Sequence, residues 1–288
     1  MKYNRQSVSI LIVLIIGSGF FNNPGLFAQA YPWLHHDEPS KAICNRIPVP
    51  EGYNRVEVQL GSFEYWLRNL SLKPEGSPVY LFDGRRKANQ ETHVAVVDID
   101  VGDEDLQQCA DAIIRLRAEY LFSTQQFKQI HFNFTSGDTA WFIKWSDGYR
   151  PRISGPNLNI VQWIRAQPVD SSYFNFRSYL LSVFQWAGTH SLNKELVAVQ
   201  NPDDMRIGDV FIQGGRPGHA VIVVDMAIHK NSGNQVFLLA QSYMPAQDIH
   251  ILKNPNHLRF SPWYELKLGE NLATPEWTFN RSELKRFR

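Results

Sequence analysis

The chain has 288 residues, of which 43% are hydrophobic, 20% are charged and 13% are aromatic. This composition is typical of a globular protein with a core of its own, and it excludes a disordered chain, which would be poor in aromatic residues. The 29 Lys and Arg residues nearly balance the 28 Asp and Glu residues. Because a basic surplus drives binding to a phosphate backbone, we expect no nucleic-acid partner.

The first thirty residues have the pattern of a secretory signal peptide. Lys2 and Arg5 precede the apolar segment 8–21, and residues 28–30 (Ala-Gln-Ala) have the small-x-small form of a signal-peptidase site. An uncleaved anchor is the alternative, but the segment is short for a span of about 20 residues. We therefore expect cleavage after this site, no stable membrane span afterwards, and an exported protein, periplasmic or extracellular.

Helices are predicted first along the mature chain. Ser62 is a good N-cap for a helix that runs to about Leu70. The clearest helix extends over 105–121, where apolar residues recur at spacings of three and four. A second amphipathic helix spans 172–187, with Gly188 as its C-terminal cap, and a short third helix begins at residue 189 or 191. The predicted strands are 55–60, 78–82, 92–99, 130–135, 140–144, 208–213, 219–228, 235–243, 248–252 and 263–268.

This order of elements predicts the fold class. Helices precede an antiparallel sheet, which is typical of an α+β protein and not of a parallel doubly wound one. No break in composition marks a domain boundary, so 31–288 is expected to be a single domain. The Pro-, Gly- and Asn-rich segment 148–170 predicts a loop-rich flap within an insertion at about 123–205. N-terminal strands and this insertion would elaborate a core of helices packed on the sheet.

Three polar residues in apolar surroundings form a candidate site. Cys109 lies in the first turns of the clearest helix, His219 opens a strand directly after the Gly-rich turn 214–218, and Gln241 lies near the end of the next strand. If these strands form a hairpin, His219 comes roughly opposite residues 241–245. Gln241 can then reach His219, and Tyr243 shares the face of Gln241.

A cysteine nucleophile requires this kind of arrangement. The thiolate is the reactive form, and its pKa is lowered by a helix N-terminus and by a nearby imidazolium. The imidazole in turn needs a third group that fixes its tautomer. If such a pair is formed, Cys109 is expected to titrate well below the ~8.5 of a free thiol.

Residues Gly208 to Ile212, followed by Gly218 to Val223, resemble the strand–turn–His-strand core of papain-like peptidases of the NlpC kind. These enzymes cleave amide bonds, commonly in cell-wall peptides. The resemblance implies a papain-like, NlpC-like core in which Cys109 is the nucleophile, His219 the base and Gln241 the orienting residue. No metal or organic cofactor is then needed.

The same hypothesis assigns supporting roles to neighbouring residues. Backbone N–H groups near Cys109, with the Gln107 or Gln108 amide, would stabilise the oxyanion, and Tyr243 would support the site. Trp145 and Trp163 could stack on a sugar if they are exposed on the insertion.

The whole mature chain resembles an uncharacterised family of exported bacterial proteins, domain of unknown function 4846. The resemblance is carried by residues 107–112, 115–120 and 241–247. This family implies no activity.

The sequence therefore predicts an exported cysteine amidase or peptidase that acts on cell-wall peptide or a related glycopeptide, such as peptidoglycan. The alternative is a non-catalytic binding or structural protein on the same scaffold, with a glycan or protein ligand. In that alternative Cys109 is inert or bonded to Cys44. We expect the two thiols to be unbonded, because Cys44 lies in a proline-rich entry segment, 31–50, away from the predicted sheet.

Two acidic or His-rich runs are candidate metal sites. The run 35–38 (His-His-Asp-Glu) consists of adjacent residues, which do not easily share one ion. The aspartates at 98, 100, 103 and 105 lack the Gly and the terminal Glu of a calcium loop. We expect no metal.

Overall fold

The computed structural model describes residues 31–34, 38–267 and 269–288. The predicted signal peptide, 1–30, and three residues of the run 35–38 lie outside the described residues. Within the described part, no helix combines the length and the apolar character that a membrane span requires.

The helices begin at residues whose side chains or position favour a helix start. Ser62 caps α2, since its Oγ accepts a hydrogen bond from the Tyr65 N–H at 3.1 Å, and Ser172 caps α5 in the same way. The α-helices are α1 (Ile43–Arg46), α2 (Phe63–Arg68), α3 (Cys109–Ser123), α4 (Phe142–Ser146), α5 (Tyr173–Trp186) and α6 (Thr189–Glu195). Short 3-10 helices cover Pro39–Lys41, Phe127–Gln129, Pro202–Asp204 and Arg281–Glu283.

The strands belong to one large sheet and three hairpins, and all their pairings are antiparallel. They are β1 (Tyr53–Arg55), β2 (His93–Val96), β3 (His131–Asn133), β4 (Thr139–Trp141), β5 (Tyr149–Ser154), β6 (Ile160–Arg165), β7 (Val197–Ala198), β8 (Val210–Gln213), β9 (His219–His229), β10 (Gln235–Gln241), β11 (His250–Leu252), β12 (Tyr264–Glu265), β13 (Asn271–Ala273), β14 (Thr278–Asn280) and β15 (Leu284–Arg286). The large sheet has the order β2-β11-β10-β9-β8-β15-β7, with β1 added on β9 and β12 on β10. Helices with antiparallel sheets confirm the coarse fold class.

The core lies between the centre of this sheet and the helices α2 and α3. Strand β9 is buried over its first nine residues, and β10 is buried after its first residue. Most residues of α3 are buried, and both α2 and α3 pack on β9. Because β9 and β10 have apolar neighbours on their faces, they are nearly continuous runs of Val, Ile, Leu, Phe and Ala.

Some predicted elements differ from the structure. The helix predicted from residue 105 begins at Cys109, because the Asp105 carboxylate is used elsewhere: it accepts the Ala246 N–H at 2.6 Å and the Gln108 side-chain N–H at 3.1 Å. Gly188 precedes α6 and does not cap α5, whose C-cap is Ala187.

Other strands and loops were also misjudged. Residues 78–82 form isolated bridges and no strand. The segment predicted as a loop-rich flap, 148–170, contains the regular hairpin of β5 and β6, in which six residue pairs are in register. Alternating side chains support this pairing even though Pro151 lies within β5 and Gly155 and Pro156 lie between the two strands.

Strand β9 is held to α2 and β1 by a buried carboxylate. Asp225 is fully buried, and its two oxygens accept hydrogen bonds from Arg68 Nε at 2.6 Å and from Arg55 Nε at 2.7 Å. Arg68 also donates to the carbonyls of Val56 and Met226. Both guanidinium groups are thus satisfied only while the carboxylate is present.

We predict that Asp225→Asn lowers the free energy of unfolding by about 3–5 kcal/mol, because it leaves the two guanidinium groups without a counter-charge. Urea denaturation measures this change. The matched control is Glu38→Gln, which breaks the exposed Lys41–Glu38 pair and is expected to change stability by no more than about 0.5 kcal/mol. Equal effects of the two substitutions would contradict this account of Asp225.

Candidate active site

Cys109 is the first residue of α3 and is 8% exposed. The backbone N–H groups of Ala110 and Ala220 form hydrogen bonds with its sulfur. Since Ala220 follows His219 directly, the thiol lies against the start of β9. The helix N-terminus therefore points the sulfur at the strand that carries the predicted base.

His219 is the first residue of β9, and its ring is almost fully buried, at 1% exposure. Three aromatic rings surround it: the centroid of Tyr243 lies 4.7 Å away, that of Trp277 5.4 Å and that of Phe279 5.8 Å. These rings exclude water from one side of the imidazole.

Gln241 ends β10 and reaches His219 diagonally across the β9–β10 pair. Its Oε1 lies 2.8 Å from His219 Nε2. Its Nε2 lies 2.8 Å from Glu276 Oε2 and 3.3 Å from His250 Nε2. Because Gln241 occupies His219 Nε2, the ring nitrogen left for a group in the neighbouring cavity is Nδ1.

A cavity of about 940 Å³ opens beside these residues. Cys109, His219 and Tyr243 all line it, and so does the turn that includes Arg216. Its volume lies within the range of ligand sites, about 300–1,000 Å³. The structure thus brings Cys109, His219 and Tyr243 together at one cavity, while Gln241 lies behind His219 and does not line it.

Burial determines the charge state of the thiol and the imidazole. It raises the pKa of the Cys109 thiol to about 11, against the lowering effect of the backbone N–H groups. It lowers the pKa of His219 to about 4. At neutral pH both groups are therefore uncharged. This corrects the expectation of a low Cys109 pKa: desolvation outweighs the helix N-terminus here.

Asp111 is a site residue that the sequence analysis missed. It lies one half-turn after Cys109, lines the cavity and is buried. One carboxyl oxygen accepts the Gln108 N–H at 3.2 Å, and the other has no protein partner. Burial raises the pKa of Asp111 well above its usual value, and the ionised carboxylate in turn raises the pKa of Cys109.

The predicted oxyanion groups are placed differently. The Gln107 side chain is buried, and its Oε1 accepts a hydrogen bond from Arg115 of α3 at 2.6 Å. Gln107 therefore binds within the protein and does not line the cavity. Gln108 lines the cavity, but its side-chain N–H is bound to Asp105 at 3.1 Å. Only the backbone N–H groups at the start of α3 are left for an oxyanion.

Neither predicted sugar-stacking tryptophan lines this cavity. Trp145 is 6% exposed, its indole N–H donates to Asn175 Oδ1 at 2.9 Å, and the Arg150 guanidinium lies 3.9 Å above its ring. Trp163 is half-buried, and its ring lies nearly parallel to that of Phe134 with the ring centroids 6.4 Å apart. The condition for stacking on a sugar, an exposed ring, is not met by Trp145, which belongs to the core.

Both cysteines are free thiols, as the sequence analysis predicts. Cys44 lies in α1, where its sulfur donates to Asn69 Oδ1 at 3.5 Å. No group of three or more His, Cys, Asp or Glu side chains among the described residues is placed to hold a metal ion.

Four further residues at the site were not identified from the sequence: Lys87, His250, Glu276 and Trp277. Glu276 and Trp277 lie in the turn between β13 and β14, which the sequence analysis did not predict. The sequence 274–277, Thr-Pro-Glu-Trp, has the Pro of a turn, and its Thr274 Oγ1 accepts the Trp277 N–H at 3.1 Å. That turn is the one local signal that could have located Glu276 and Trp277.

The family model described as domain of unknown function (4846) matches residues 43–286. The chain belongs to this family. No curated protein and no solved structure matches the chain. The family match thus confirms the resemblance to this domain of unknown function over residues 43–286 and assigns no chemistry to the cavity.

We predict that Asp111→Asn lowers the pKa of Cys109, because it removes the carboxylate whose charge disfavours the thiolate. The amide oxygen can still accept the Gln108 N–H, so the helix start is preserved. In a Cys44→Ala background, the rate of alkylation by iodoacetamide should inflect near pH 11 in the parent and at lower pH in Asp111→Asn.

Asp103→Asn is the control, because it removes an exposed carboxylate from the loop before α3. It should leave the inflection in place. A parent inflection below ~8.5, or no shift in Asp111→Asn, would contradict the electrostatic description of the site.

Proposed function

We propose that this protein is an exported cysteine amidase or peptidase that cleaves amide bonds of cell-wall peptide or glycopeptide. One observation carries the proposal: Cys109 and His219 line the same cavity while Gln241 holds the far nitrogen of His219. A cysteine on the first residue of a helix, a histidine opening a strand and a polar residue one strand later support a papain-like arrangement of the NlpC kind.

The first step joins the substrate to Cys109. As the sulfur attacks the amide carbonyl carbon, the new C–S bond forms and the thiol proton passes to His219 Nδ1. The C=O electron pair moves to the oxygen. The N–H groups of Cys109 and Ala110 lie beside the sulfur and have no backbone acceptor within the helix, so they are positioned to stabilise this oxyanion.

The second step releases the amine and then the acid. Collapse of the oxyanion breaks the C–N bond, and His219 returns the proton to the leaving nitrogen. A water molecule then attacks the thioester carbon and gives a proton to His219. The C–S bond breaks as His219 passes that proton to the sulfur, which frees the carboxylic acid and the Cys109 thiol. Gln241 keeps the imidazole oriented through both proton transfers.

The neutral resting state has a consequence for this chemistry. With a thiol pKa near 11 and an imidazole pKa near 4, proton transfer has to accompany C–S bond formation and does not precede it. The thiol should therefore react slowly with small electrophiles at neutral pH. A bound substrate that fills the cavity and aligns its carbonyl would supply the remaining driving force.

The cavity also suggests which part of a peptide it accepts. Its lining combines the aromatic side chains of Tyr243, Phe184 and Trp277 with the exposed Arg216 on the turn before β9. Aromatic walls with charged groups of both signs, Arg216 and Asp105, suit a peptide that carries charged as well as apolar groups.

The second candidate is a non-catalytic binding protein that uses the same cavity. The raised pKa of Cys109 favours it, because a buried neutral thiol behaves as a small hydrophobic group. In this candidate the cavity binds a glycan or peptide without cleaving it.

We predict that the purified protein releases new amino groups from peptidoglycan fragments. Cys109→Ala should abolish the release, since Cys109 is the only thiol among the residues that line the cavity. His219→Ala should lower the rate by about 10²–10⁴-fold, the usual contribution of a general base. Mass spectrometry of the fragments identifies the cleaved bond.

Cys44→Ala is the matched control, since it removes the other thiol and should retain full activity. Release by Cys109→Ala at the wild-type rate would refute the proposal. Equal binding of intact fragments by wild type and Cys109→Ala, with no release by either, would establish the binding protein.

A further inference from the structure

We propose that Glu276 and His250 are positioning residues, which fix the side-chain amide of Gln241 and thereby hold the His219 proton on Nε2 and leave Nδ1 bare. The juxtaposition that carries this inference is a chain of hydrogen bonds. In this chain each group can act only as a donor or only as an acceptor, and so determines whether the next group accepts or donates. The role of this His219 tautomer in catalysis rests on the proposed function, whereas the tautomer itself does not.

His250 supplies the first fixed acceptor. Its Nδ1 lies 2.8 Å from the carbonyl oxygen of Asp248, which can only accept, so Nδ1 carries the ring proton. His250 is fully buried, and burial holds its pKa at about 3, so the ring is neutral. Its Nε2 is therefore bare and accepts a hydrogen bond from Gln241 Nε2 at 3.3 Å.

Glu276 supplies the second fixed acceptor. Its Oε2 lies 2.8 Å from Gln241 Nε2, and the same oxygen accepts a hydrogen bond from the Lys87 ammonium group. The Lys87 side chain is only 7% exposed, so this ion pair keeps the carboxylate charged in a poorly solvated place. An ionised carboxylate accepts and cannot donate.

Two acceptors thus face one end of the Gln241 amide. An amide nitrogen has two hydrogens, and both are used, one by Glu276 and one by His250. The opposite orientation would place the amide oxygen against a carboxylate and a bare ring nitrogen. It would also leave the buried His250 Nε2 without a donor and Glu276 Oε2 with Lys87 alone, which is costly in a site of low polarity.

The amide oxygen must therefore face His219. Because Oε1 only accepts, His219 Nε2 has to donate across the 2.8 Å contact. The neutral ring has one N–H, so Nδ1 is bare. This is the tautomer that a base facing a thiol requires, and it is set by residues that do not touch the cavity's reacting atoms.

The same short turn that supplies Glu276 also covers the hydrogen bond. Trp277 lies over the His219 ring, and its indole N–H donates to Gln213 Oε1 at 3.1 Å, which holds it in place. The turn between β13 and β14 therefore contributes both Glu276, which accepts a hydrogen bond from Gln241, and Trp277, which packs on His219.

The tautomer is measured by two-dimensional ¹H–¹⁵N NMR of His-labelled protein at pH 7. For wild type we expect His219 Nδ1 at the chemical shift of a bare ring nitrogen and Nε2 at that of a protonated one. The inference is overturned if His219 Nδ1 carries the proton or if the ring is an imidazolium. Neither result depends on whether the protein cleaves anything.

Variants then test what fixes the tautomer. Glu276→Gln together with His250→Phe removes both obligatory acceptors, so the amide can turn, and His219 should become a mixture of tautomers. His250→Gln alone leaves the closer acceptor, the charged Glu276 carboxylate at 2.8 Å, in place and should retain the wild-type spectrum. Glu91→Gln, which removes a carboxylate paired with Lys253 on the surface, is the control and should also leave the spectrum unchanged.

Peptide release provides the second readout, and thermal unfolding verifies that each variant is folded. In the double variant kcat should fall by about 10²-fold or more while KM changes little, because substrate contacts are unaffected. If the double variant does not fold, Glu276→Gln alone is measured and should already show a partial tautomer mixture. An unchanged His219 spectrum in the folded double variant, or in folded Glu276→Gln where the double variant does not fold, would overturn the inference. An inactive wild type with a bare Nδ1 would instead refute only the proposed function.

Discussion

Antiparallel pairing of β9 with β10 is the interaction on which the candidate site depends. The register shifts by one residue between Leu238 and Leu239, so that Leu238 pairs with Asp225 and Leu239 with Val223. Continued to the end of the strands, this register places His219 opposite residue 243. Since side chains alternate, Gln241 then shares the face of His219, whereas an unshifted register would present Ser242 instead.

The buried ion pairs are located at that shift. Asp225 is one of the residues at the irregularity, and its carboxylate binds Arg68 of α2, Arg55 of β1 and the N–H of Met226. Ser242 on the opposite face donates to the Gln107 carbonyl, directly before α3. One local irregularity thereby connects the sheet register, the position of Cys109 and the Gln241–His219 contact.

Desolvation is the second constraint, and it acts on the buried titratable groups of the site. It raises the pKa of Cys109 and Asp111 and lowers that of His219 and His250, so the thiol and both imidazoles are uncharged at neutral pH. A preformed thiolate–imidazolium pair is disfavoured in such surroundings. Directional hydrogen bonds, and not fixed charges, prepare the proposed base.

Sequence patterns located the parts of the site that depend on local signals. The turn 214–218 between apolar strands placed His219, and the hairpin of β9 and β10 placed Gln241 and Tyr243 near it. The start of α3 was misplaced, because Asp105 has the composition of an N-cap but bonds to the distant Ala246. Glu276 reaches Gln241, and Lys87 reaches Glu276, only through tertiary contacts, so no local pattern reports them. His250 lies opposite Gln241 in the β10–β11 pairing, but its contact with the Gln241 amide depends on side-chain orientation.

The central claim is that Cys109 acts as a nucleophile with His219 as its base. Intact-mass spectrometry of acid-quenched protein during reaction with p-nitrophenyl acetate tests it most directly. The account predicts slow addition of a single acetyl group to Cys109, which is absent in Cys109→Ala, forms more slowly still in His219→Ala and persists in Cys44→Ala. Acetylation of Cys109→Ala to the same extent, or a Cys109 acetylation rate that does not depend on His219, would contradict the account.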